Sequence, residues 1–335
     1  MIGIAVVGYG YWGPNLVRNF ALVDDAKVVA VVDHRDDRRA TVEKLYPTVA
    51  TYADMESMLV DPAVDAVVIA TPVSSHFPLA MQSLQAGKHV LVEKPMTSTV
   101  AEAEILVAEA ATRGLTLMVD HTFIYTSAVR KIHQLVDEGQ LGELYYYDSV
   151  RVNLGLFQHD VSVLWDLAVH DLSIMDFLLR QSPVKVAATG IAHIEGQPVN
   201  MAYLTCFFEG TTIAHFHVNW LAPVKVRQTL ICGSDRMIVF DDLEASEKVK
   251  VYDKGIVLGD PDQMGFEPRV GYRTGDMWAP RLDVTEALRV EAEHFVECIG
   301  TGATPESDGQ AGLRIVRILE AATESLARQG EPVEI

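Results

Sequence analysis

The sequence predicts an α/β protein in two parts: a doubly wound domain with a parallel sheet, then an α+β domain with a mainly antiparallel open sheet. Three observations indicate this division. The first third of the 335-residue chain alternates short apolar segments with helical patterns. Those segments are continuously apolar, as is typical of strands buried on both faces of a parallel sheet. Beyond residue 121, strand patterns follow one another across short turns, which favours antiparallel pairing.

The first domain is predicted over residues 1–121. Its strands are expected in five apolar segments, residues 2–7, 28–32, 66–70, 90–92 and 115–119. Helical patterns lie between them, over residues 14–23, 36–45, 75–86 and 100–113. This repeated order of strand and helix predicts parallel strands with helices on both faces of the sheet.

The second domain is predicted over residues 122–335. Helices are expected over residues 126–138, 161–179, 284–299 and 309–329, and strands over 144–152, 184–193, 201–208, 211–219, 226–232 and 236–240. Residues 253–283 are rich in Gly, Pro and Asp, which predicts an extended loop. The two closing helices are free to pack back on the first domain.

Charge and cysteine content restrict the partners and the compartment. The chain has 27 basic and 46 acidic residues, a formal charge of −19, which argues against binding nucleic acid or an anionic membrane. Its three cysteines are far apart, which favours a reducing compartment. No apolar run approaches the roughly 20 residues of a membrane span, and the N-terminus resembles a strand more than a signal peptide. We therefore expect a cytoplasmic protein.

A glycine-rich turn over residues 8–13 (GYGYWG) follows the first strand and opens the first helix. The first glycine allows the tight turn, the second lets the backbone approach a pyrophosphate, and the third lets helix pack on strand. Free N–H groups at the helix start bind phosphate without basic side chains. The turn predicts a Rossmann dinucleotide site whose cofactor-binding residues are Gly8, Gly10, Tyr11, Trp12 and Gly13.

Asp33 ends the second strand, at the spacing of roughly 20 residues typical of a ribose-binding acid. Its carboxylate suits the ribose of NAD and repels the 2′-phosphate of NADP. His34 and Arg38 follow and are also predicted to contact the cofactor. An arginine here is able to hold a 2′-phosphate, so NADP is the alternative. The charged segment otherwise reads as a solvated helix start with Asp36 as its N-cap.

Two further segments carry chemistry. Glu93 and Lys94 follow the strand 90–92, and ligands of open α/β sheets bind beyond the carboxyl ends of strands. Lys94 is therefore expected beside a nicotinamide. Asp166 and His170 are four residues apart, so that one helix face would present both. The alternatives are a solvated lysine at a strand end and an ordinary helix pair.

Together these segments resemble the Gfo/Idh/MocA family of oxidoreductases. The shared features are the turn at 8–13, Thr71 and Pro72 with His76, the sequence EKP at 93–95, and the pair Asp166 and His170. The resemblance extends to the end of the chain. Residues 10–15, 121–125 and 165–171 are similar to a subgroup acting on carbon 3 of nucleotide-linked sugars, such as UDP-N-acetylglucosamine 3-dehydrogenases. In many members of the family, a glycine-rich segment precedes the aspartate–histidine pair. Residues 161–165 (VSVLW) differ from it, so the resemblance does not identify the sugar.

The resemblance implies hydride transfer between a nicotinamide cofactor and a secondary alcohol or ketone of a sugar. It gives proton transfer and orientation of the substrate jointly to Lys94 and His170, and it gives Asp166 the positioning of the hydroxyl or the tuning of Lys94. A free lysine is already protonated at neutral pH and therefore cannot accept a further proton, whereas histidine exchanges its proton in this pH range. Which of the two moves the proton stays open. Alternatives are an inositol, free-sugar or sugar-phosphate dehydrogenase, or a non-catalytic dinucleotide sensor.

Several other residues have both a functional and a structural interpretation. Thr71, Pro72, His76 and Glu93 are predicted on the nicotinamide side, although His76 also suits a ligand-free helix start. Arg151 and Asn153 either bind substrate or form the polar face of a sheet. Loop residues with the same ambiguity toward a diphosphate are Arg269, Arg273 and Trp278.

Neither a metal site nor a monomer is expected. The ligand-type residues, which lack zinc spacing, are His159, Asp160, Asp166, His170, Asp171, His215 and His217. The exposed face of the second-domain sheet predicts a homodimer or homotetramer, in line with the family resemblance.

Overall fold

The protein is described by a computed structural model over residues 1–155, 161–258 and 270–335. The chain divides into two compact units, each made of two segments. The first unit comprises Met1–Tyr125 and Thr285–Glu320, and the second comprises Thr126–Val284 and Ala321–Ile335. The first unit therefore includes a segment that comes late in the sequence.

The first unit contains a six-stranded sheet in the order β3-β2-β1-β4-β5-β6. Its strands are β1 Ile2–Val7, β2 Ala26–Val32, β3 Ala50–Tyr52, β4 Ala66–Ile69, β5 His89–Glu93 and β6 Leu117–Asp120. Every neighbouring pair is parallel, which confirms the predicted doubly wound sheet. The strand order reverses between β1 and β4, the switch point where such sheets bind ligands.

The first unit's strands form its core because their side chains are buried on both faces. Ile4, Ala5 and Val6 of β1 are all 0% exposed, as the continuous apolar pattern predicts. The helices are α1 Gly13–Phe20, α2 Asp36–Leu45, α3 Met55–Leu59, α4 His76–Gln85, α5 Val100–Arg113 and α8 Ala287–Thr301, with the start of α9 Gly309–Ala327. Local signals set their ends: Thr99 is the N-cap of α5, and its side chain accepts from the backbone N–H of Glu102.

The second unit is built on a nine-stranded sheet in the order β16-β13-β12-β11-β7-β10-β9-β8-β17. Its strands are β7 Leu144–Leu154, β8 Lys185–Ile191, β9 Met201–Phe207, β10 Ile213–Asn219, β11 Leu221–Gly233, β12 Met237–Asp241, β13 Val249–Tyr252, β16 Met277–Trp278 and β17 Val333–Glu334. The pair β7 and β10 is parallel, and the other neighbours are antiparallel, so the predicted mainly antiparallel sheet is confirmed.

One face of this sheet is buried and the other is partly exposed. In β10, Ala214, Phe216 and Val218 are 0% exposed, whereas Ile213, whose side chain points to the opposite face, is 40% exposed. Two helices belong to the same unit, α6 Ser127–Asp137 and α7 Val169–Leu179. The period of two is typical of an antiparallel sheet with one covered face.

The structure corrects several sequence predictions. Residues 253–283 are not one extended loop, because they include β16 and a hairpin of β14 Gly255–Leu258 with β15 Val270–Arg273. These strands are only two to four residues long, and residues 259–269 lie outside the described residues. The elements β3 and α3 were not predicted, because they are too short to show a clear apolar period. Finally, Arg35 is the N-cap of α2, and Asp36 is its first helical residue.

Within these described ranges, no helix has both the length and the apolar character needed to span a membrane.

Candidate active site

At two of the three glycines in the glycine-rich turn, nearby backbone atoms leave no room for a side chain. Gly8 adopts a φ of +93°, and a Cβ added there would lie 2.5 Å from the carbonyl oxygen of Ala70. A Cβ at Gly13 would lie 2.1 Å from the carbonyl oxygen of Gly8. A Cβ at Gly10 would meet no described atom within 4 Å. The space beside Gly10 is therefore open, as the approach of a pyrophosphate to the backbone requires.

This contrast predicts opposite effects of alanine at two glycines. Gly13→Ala should destabilise the first unit, because the new Cβ forces the backbone of the turn apart. Gly10→Ala should leave the melting temperature unchanged but weaken dinucleotide binding by about tenfold or more, roughly 1.4 kcal/mol. Thermal unfolding and titration of NADH fluorescence measure the two effects. Unchanged NADH affinity in Gly10→Ala would contradict the assignment of this turn.

Asp33 connects the end of β2 to the glycine-rich turn. Its Oδ2 accepts from the backbone N–H of Tyr9 at 2.8 Å, and its Oδ1 accepts from that of Arg35 at 2.9 Å. Arg38 donates through Nη1 to the carbonyl oxygens of Tyr9 at 3.1 Å and Gly10 at 3.4 Å. A carboxylate has about four acceptor positions, so Asp33 keeps capacity for ribose hydroxyls. His34 is exposed beside it, with its Nδ1 3.8 Å from the Asp33 carboxylate.

The two aromatic residues of the turn have different surroundings. Tyr11 is 91% exposed, whereas Trp12 is partly buried. The indole Nε1 of Trp12 donates to Oδ2 of Asp120 at 3.0 Å. The turn after β1 is thereby tied to the end of β6.

His76 joins two loops at the carboxyl ends of β4 and β5. It is 1% exposed, with Nδ1 2.8 Å from the carbonyl oxygen of Pro95 and Nε2 2.9 Å from that of Thr71. Burial lowers its pKa. Both ring nitrogens face backbone carbonyls, which favours a role in holding these loops over a direct cofactor contact. Pro72, beside Thr71, is exposed.

Glu93 and Lys94 lie at the carboxyl end of β5 and are both partly buried. Glu93 pairs with Asp120 in the register of β5 and β6, and its Oε2 accepts from the backbone N–H of Lys94 at 3.0 Å. Burial and the nearby Asp120 raise the pKa of Glu93 well above its ordinary value. The charge of Lys94 acts on Glu93, His76 and His121, which places its side chain among these groups.

These features of the first unit fit a nicotinamide dinucleotide. The open space at Gly10 borders a helix start, Asp33 offers a carboxylate just after β2, and Thr71 and Lys94 follow the carboxyl ends of β4 and β5. His121, just past β6, is 3% exposed, and neither of its ring nitrogens has a hydrogen-bond partner among the described residues. A buried imidazole of this kind is suited to contact a bound ligand.

The second unit holds the Asp166 and His170 pair on an irregular helix. A π-helical turn, Leu164–Ala168, contains Asp166 and runs directly into α7, where His170 is in the first turn. Oδ2 of Asp166 accepts from the indole Nε1 of Trp220 at 3.1 Å. The single helix predicted over residues 161–179 is corrected accordingly. π-Helical turns are frequent at functional sites because they change which side chains face one side of a helix.

Arg151 is buried within the second unit. It is 3% exposed, and its Nε and Nη2 donate to the two carboxyl oxygens of Asp171 at 2.9 and 2.8 Å. Asp171 directly follows His170 in α7, so this ion pair anchors the turn that carries His170. The contact favours a supporting role for Arg151, and its burial is inconsistent with an exposed polar sheet face. Asn153, two residues further along β7, is partly buried.

The remaining predicted residues have mixed outcomes. Arg269, His159 and Asp160 lie outside the described residues. Arg273 forms an ion pair with Asp253, and Trp278 in β16 is 37% exposed. Within the described ranges, no group of three or more His, Cys, Asp or Glu side chains is arranged to hold a metal ion.

Two buried polar groups near Asp120 were not assigned a role from the sequence. His121 had one usable signal, its position directly after a buried strand. Glu291 in α8 is 0% exposed and faces Asp120. It comes far later in the chain, with no motif around it, so no local pattern indicates this contact.

Known proteins match the chain along most of its length. Residues 2–121 match the family model described as "Oxidoreductase family, NAD-binding Rossmann fold", and residues 129–239 match the "GFO/IDH/MocA C-terminal domain". A UDP-N-acetylglucosamine 3-dehydrogenase of Acidithiobacillus ferrooxidans is 28% identical over 317 residues, 93% of each chain. A structure of that enzyme superposes with a TM-score of 0.82 and covers 98% of both chains at 25% identity.

A second curated relative acts on a cyclic polyol. The myo-inositol 2-dehydrogenase of Thermotoga maritima is 25% identical over 336 residues and 96% of each chain. Matches to both domain models, with the glycine-rich turn and EKP segment in place, identify this chain as a member of the Gfo/Idh/MocA family of oxidoreductases.

Proposed function

We propose that this protein is an NAD-dependent oxidoreductase acting on a secondary alcohol or ketone of a sugar, most specifically carbon 3 of a nucleotide-linked sugar. The observation that carries the proposal is the similarity to a UDP-N-acetylglucosamine 3-dehydrogenase along 93% of both chains. The first unit's open glycine turn and the strand-end position of Lys94 support it independently.

The preference for NAD over NADP rests on Asp33. Its carboxylate is held by two backbone N–H groups at the end of β2. A ribose diol can donate to this carboxylate, whereas a 2′-phosphate would bring a second negative charge beside it. Arg38 is engaged with the carbonyl oxygens of the turn, which reduces its availability for a phosphate. We therefore expect tighter binding of NAD(H) than of NADP(H).

Proton handling is proposed for Lys94 and His170, with Asp166 in support. When bound, the nicotinamide ring exchanges a hydride with the sugar carbon. The hydroxyl proton needs a separate acceptor, and an amine or an imidazole can take it and return it. The Asp166 carboxylate, which accepts from the indole of Trp220, is proposed to position a hydroxyl or to tune the lysine. Asn153 is proposed as a substrate contact, and Arg151 as support for His170 through Asp171.

A substrate panel tests the proposal directly. The purified protein is mixed with NAD⁺ or NADP⁺ and with UDP-sugars, dTDP-sugars, free sugars, sugar phosphates and inositols, and reduced cofactor is followed by absorbance. The expected result is turnover of a nucleotide sugar with NAD⁺. NADH binding without turnover of any compound in either direction would instead favour a dinucleotide sensor.

Inositols and free sugars are the second candidate substrates. The similarity to a myo-inositol 2-dehydrogenase over 96% of each chain favours this class. Residues 161–165 (VSVLW), which lead into and begin the π-helical turn that carries Asp166, also differ from the glycine-rich segment expected from the family resemblance. The same panel separates the classes, because a polyol dehydrogenase turns over inositol and ignores the nucleotide-linked compounds.

We further propose that two copies pair through the partly exposed face of the nine-stranded sheet. Apolar side chains on this face include Tyr146, Val150, Tyr203, Phe207, Ile213 and Leu230. Large exposed apolar faces are usually covered by a partner.

The oligomer is expected to dissociate when a charge is placed on this face. Tyr203 is 38% exposed and stacks on His217 with ring centroids 4.5 Å apart, so Tyr203→Asp would put an unpaired carboxylate in the interface. Sedimentation velocity should show a dimer or tetramer for the unmodified protein and a monomer for this variant. Ile194→Asp, at a 45% exposed residue outside the sheet, is the control and should stay assembled. A monomeric unmodified protein would contradict the proposal.

A further inference from the structure

Three carboxyl groups from distant parts of the chain come together inside the first unit. Glu93 and Asp120 pair at the carboxyl ends of β5 and β6, and Glu291 of α8 faces both of them. We call these three residues the carboxyl cluster. Asp120 is 3% exposed and Glu291 is 0% exposed. The family resemblance and the proposed chemistry give Asp120 and Glu291 no role.

Hydrogen-bond donors reach Asp120 of the carboxyl cluster but not Glu291. Asp120 accepts from the indole Nε1 of Trp12 at 3.0 Å and from the hydroxyl of Thr122. Among the described residues, neither carboxyl oxygen of Glu291 accepts a hydrogen bond, because the nearby hydroxyl of Thr122 donates to Asp120. An ionised carboxylate only accepts hydrogen bonds, and burying one without donors is costly. Asp120 is thus suited to carry the negative charge, and Glu291 is not.

The charges that face Glu291 are consistent with this distribution. Across from α8 it meets Asp120 of β6, Glu93 of β5 and the hydroxyl of Thr122. The ammonium of Lys94 acts on Glu93 and on His121. His121 is itself buried, which lowers its pKa to about 4, so its ring is neutral at pH 7 and supplies no compensating charge. Three ionised carboxylates at this place would therefore repel one another strongly.

We infer that Glu291 is a positioning residue that holds a proton at neutral pH, keeps Asp120 as the charged member of the carboxyl cluster, and thereby fixes Trp12 in the glycine-rich turn. Trp12 directly precedes Gly13, the start of α1, so its position sets the turn that the proposed function assigns to the dinucleotide. In that respect the inference rests on the proposed function. Its protonation part stands without any cofactor.

The inference predicts that stability falls as the pH rises. Burial, then Asp120 and Glu93, raise the pKa of Glu291 well above its ordinary value of 4.5. Above that ordinary value the unfolded chain has lost the proton, while the folded chain still holds it. Stability therefore decreases from about pH 4.5 upward, until the folded-state pKa is passed. Glutamine imitates the protonated acid and removes this loss, whereas Glu93 continues to titrate in the variant.

The experiment compares the unmodified protein with Glu291→Gln and the control Glu293→Gln. Glu293 belongs to the same helix but is 45% exposed and paired with Arg289. Urea unfolding without dinucleotide is measured from pH 5 to 9. The free energy of unfolding of Glu291→Gln should fall less steeply with pH, with a slope smaller by up to one bound proton. At pH 9 it should be higher than that of the unmodified protein. Glu293→Gln should follow the unmodified protein throughout.

NADH titrations at pH 7 and 9 provide the second readout. Affinity of the unmodified protein should fall by about tenfold for each pH unit above the folded-state pKa, and Glu291→Gln should retain its affinity. An unchanged stability profile in Glu291→Gln overturns the inference. So does a Glu291→Gln protein that is unfolded at pH 7, because a neutral isostere should fold. If the unmodified protein binds no dinucleotide at any pH, the proposed function fails while the urea series still decides the protonation of Glu291.

Discussion

Replacing Lys94 by alanine is expected to lower turnover by about 10²–10⁴-fold, the usual contribution of a positioned acid–base group. The lysine follows β5, where its charge acts on Glu93, His76 and His121. Alanine removes the amine while leaving the glycine-rich turn and Asp33 intact. NADH affinity should therefore stay within about threefold, roughly 0.7 kcal/mol. Steady-state rates with the substrate found in the panel, beside NADH fluorescence titrations, measure both quantities.

Lys88 provides a matched control for this variant. It precedes the amino end of β5, whereas Lys94 follows the carboxyl end of the same strand. Its Nζ donates to the carbonyl oxygen of Val64 at 2.6 Å, so Lys88→Ala alters stability but should leave turnover close to normal. Equal loss of turnover in both variants would show that lysine removal acts through folding, and would contradict the proposed role.

His170→Ala should lower turnover on the same scale as Lys94→Ala. If the two side chains act as one proton-handling unit, the double variant should be little slower than either single variant, because effects within such a unit are not additive. Fully multiplicative losses would mean that the residues contribute independently, and proton transfer would then have to be assigned to one of them.

Breaking the buried ion pair of the second unit is expected to have the largest effect on stability. Arg151 and Asp171 have side chains only 4% exposed, and two hydrogen bonds join them. Arg151→Ala leaves the carboxylate of Asp171 buried without its counter-charge. Removing one partner of such a pair typically costs about 3–5 kcal/mol. Urea unfolding of Arg151→Ala and of Asp171→Asn should show losses of this size in the second unit.

The exposed pair Arg289 and Glu293 is the comparison for this measurement. Both side chains are more than 40% exposed, so solvent screens their attraction, and Glu293→Gln should unfold close to the unmodified protein. Arg151→Ala also separates the two interpretations of Arg151. If the arginine binds substrate directly, the variant should raise KM while keeping normal stability, which would contradict the supporting role proposed above.

Local sequence was sufficient to predict the backbone features of the proposed cofactor site. The turn at residues 8–13 could be assigned because backbone sterics restrict Gly8 and Gly13 to glycine, and both restraints are present in the structure. Asp33 could be assigned because it ends a buried strand at the expected spacing. The contacts of the two His76 ring nitrogens could not be predicted, because the carbonyl groups that they face belong to separate loops.

Two structural elements could not be predicted from the local sequence. The π-helical turn at Leu164–Ala168 differs from an α-helix by its hydrogen-bond register, which the spacing of apolar residues does not reveal. The hairpin of β14 and β15 lies in a stretch whose glycine and proline content resembles a loop. In both places, the composition and spacing of neighbouring residues do not specify the hydrogen-bond pattern that the backbone adopts.

By itself the sequence determined the parallel sheet, the antiparallel sheet and the turn that opens α1, because apolar periodicity and glycine placement are properties of neighbouring residues. Only the tertiary structure decided which distant polar groups meet. It brought Glu291 of α8 against Asp120 of β6, and it joined Arg151 of β7 to Asp171 of α7. Such pairs form when packing closes long stretches of chain, so each partner's own surroundings in the sequence carry no signal of the other.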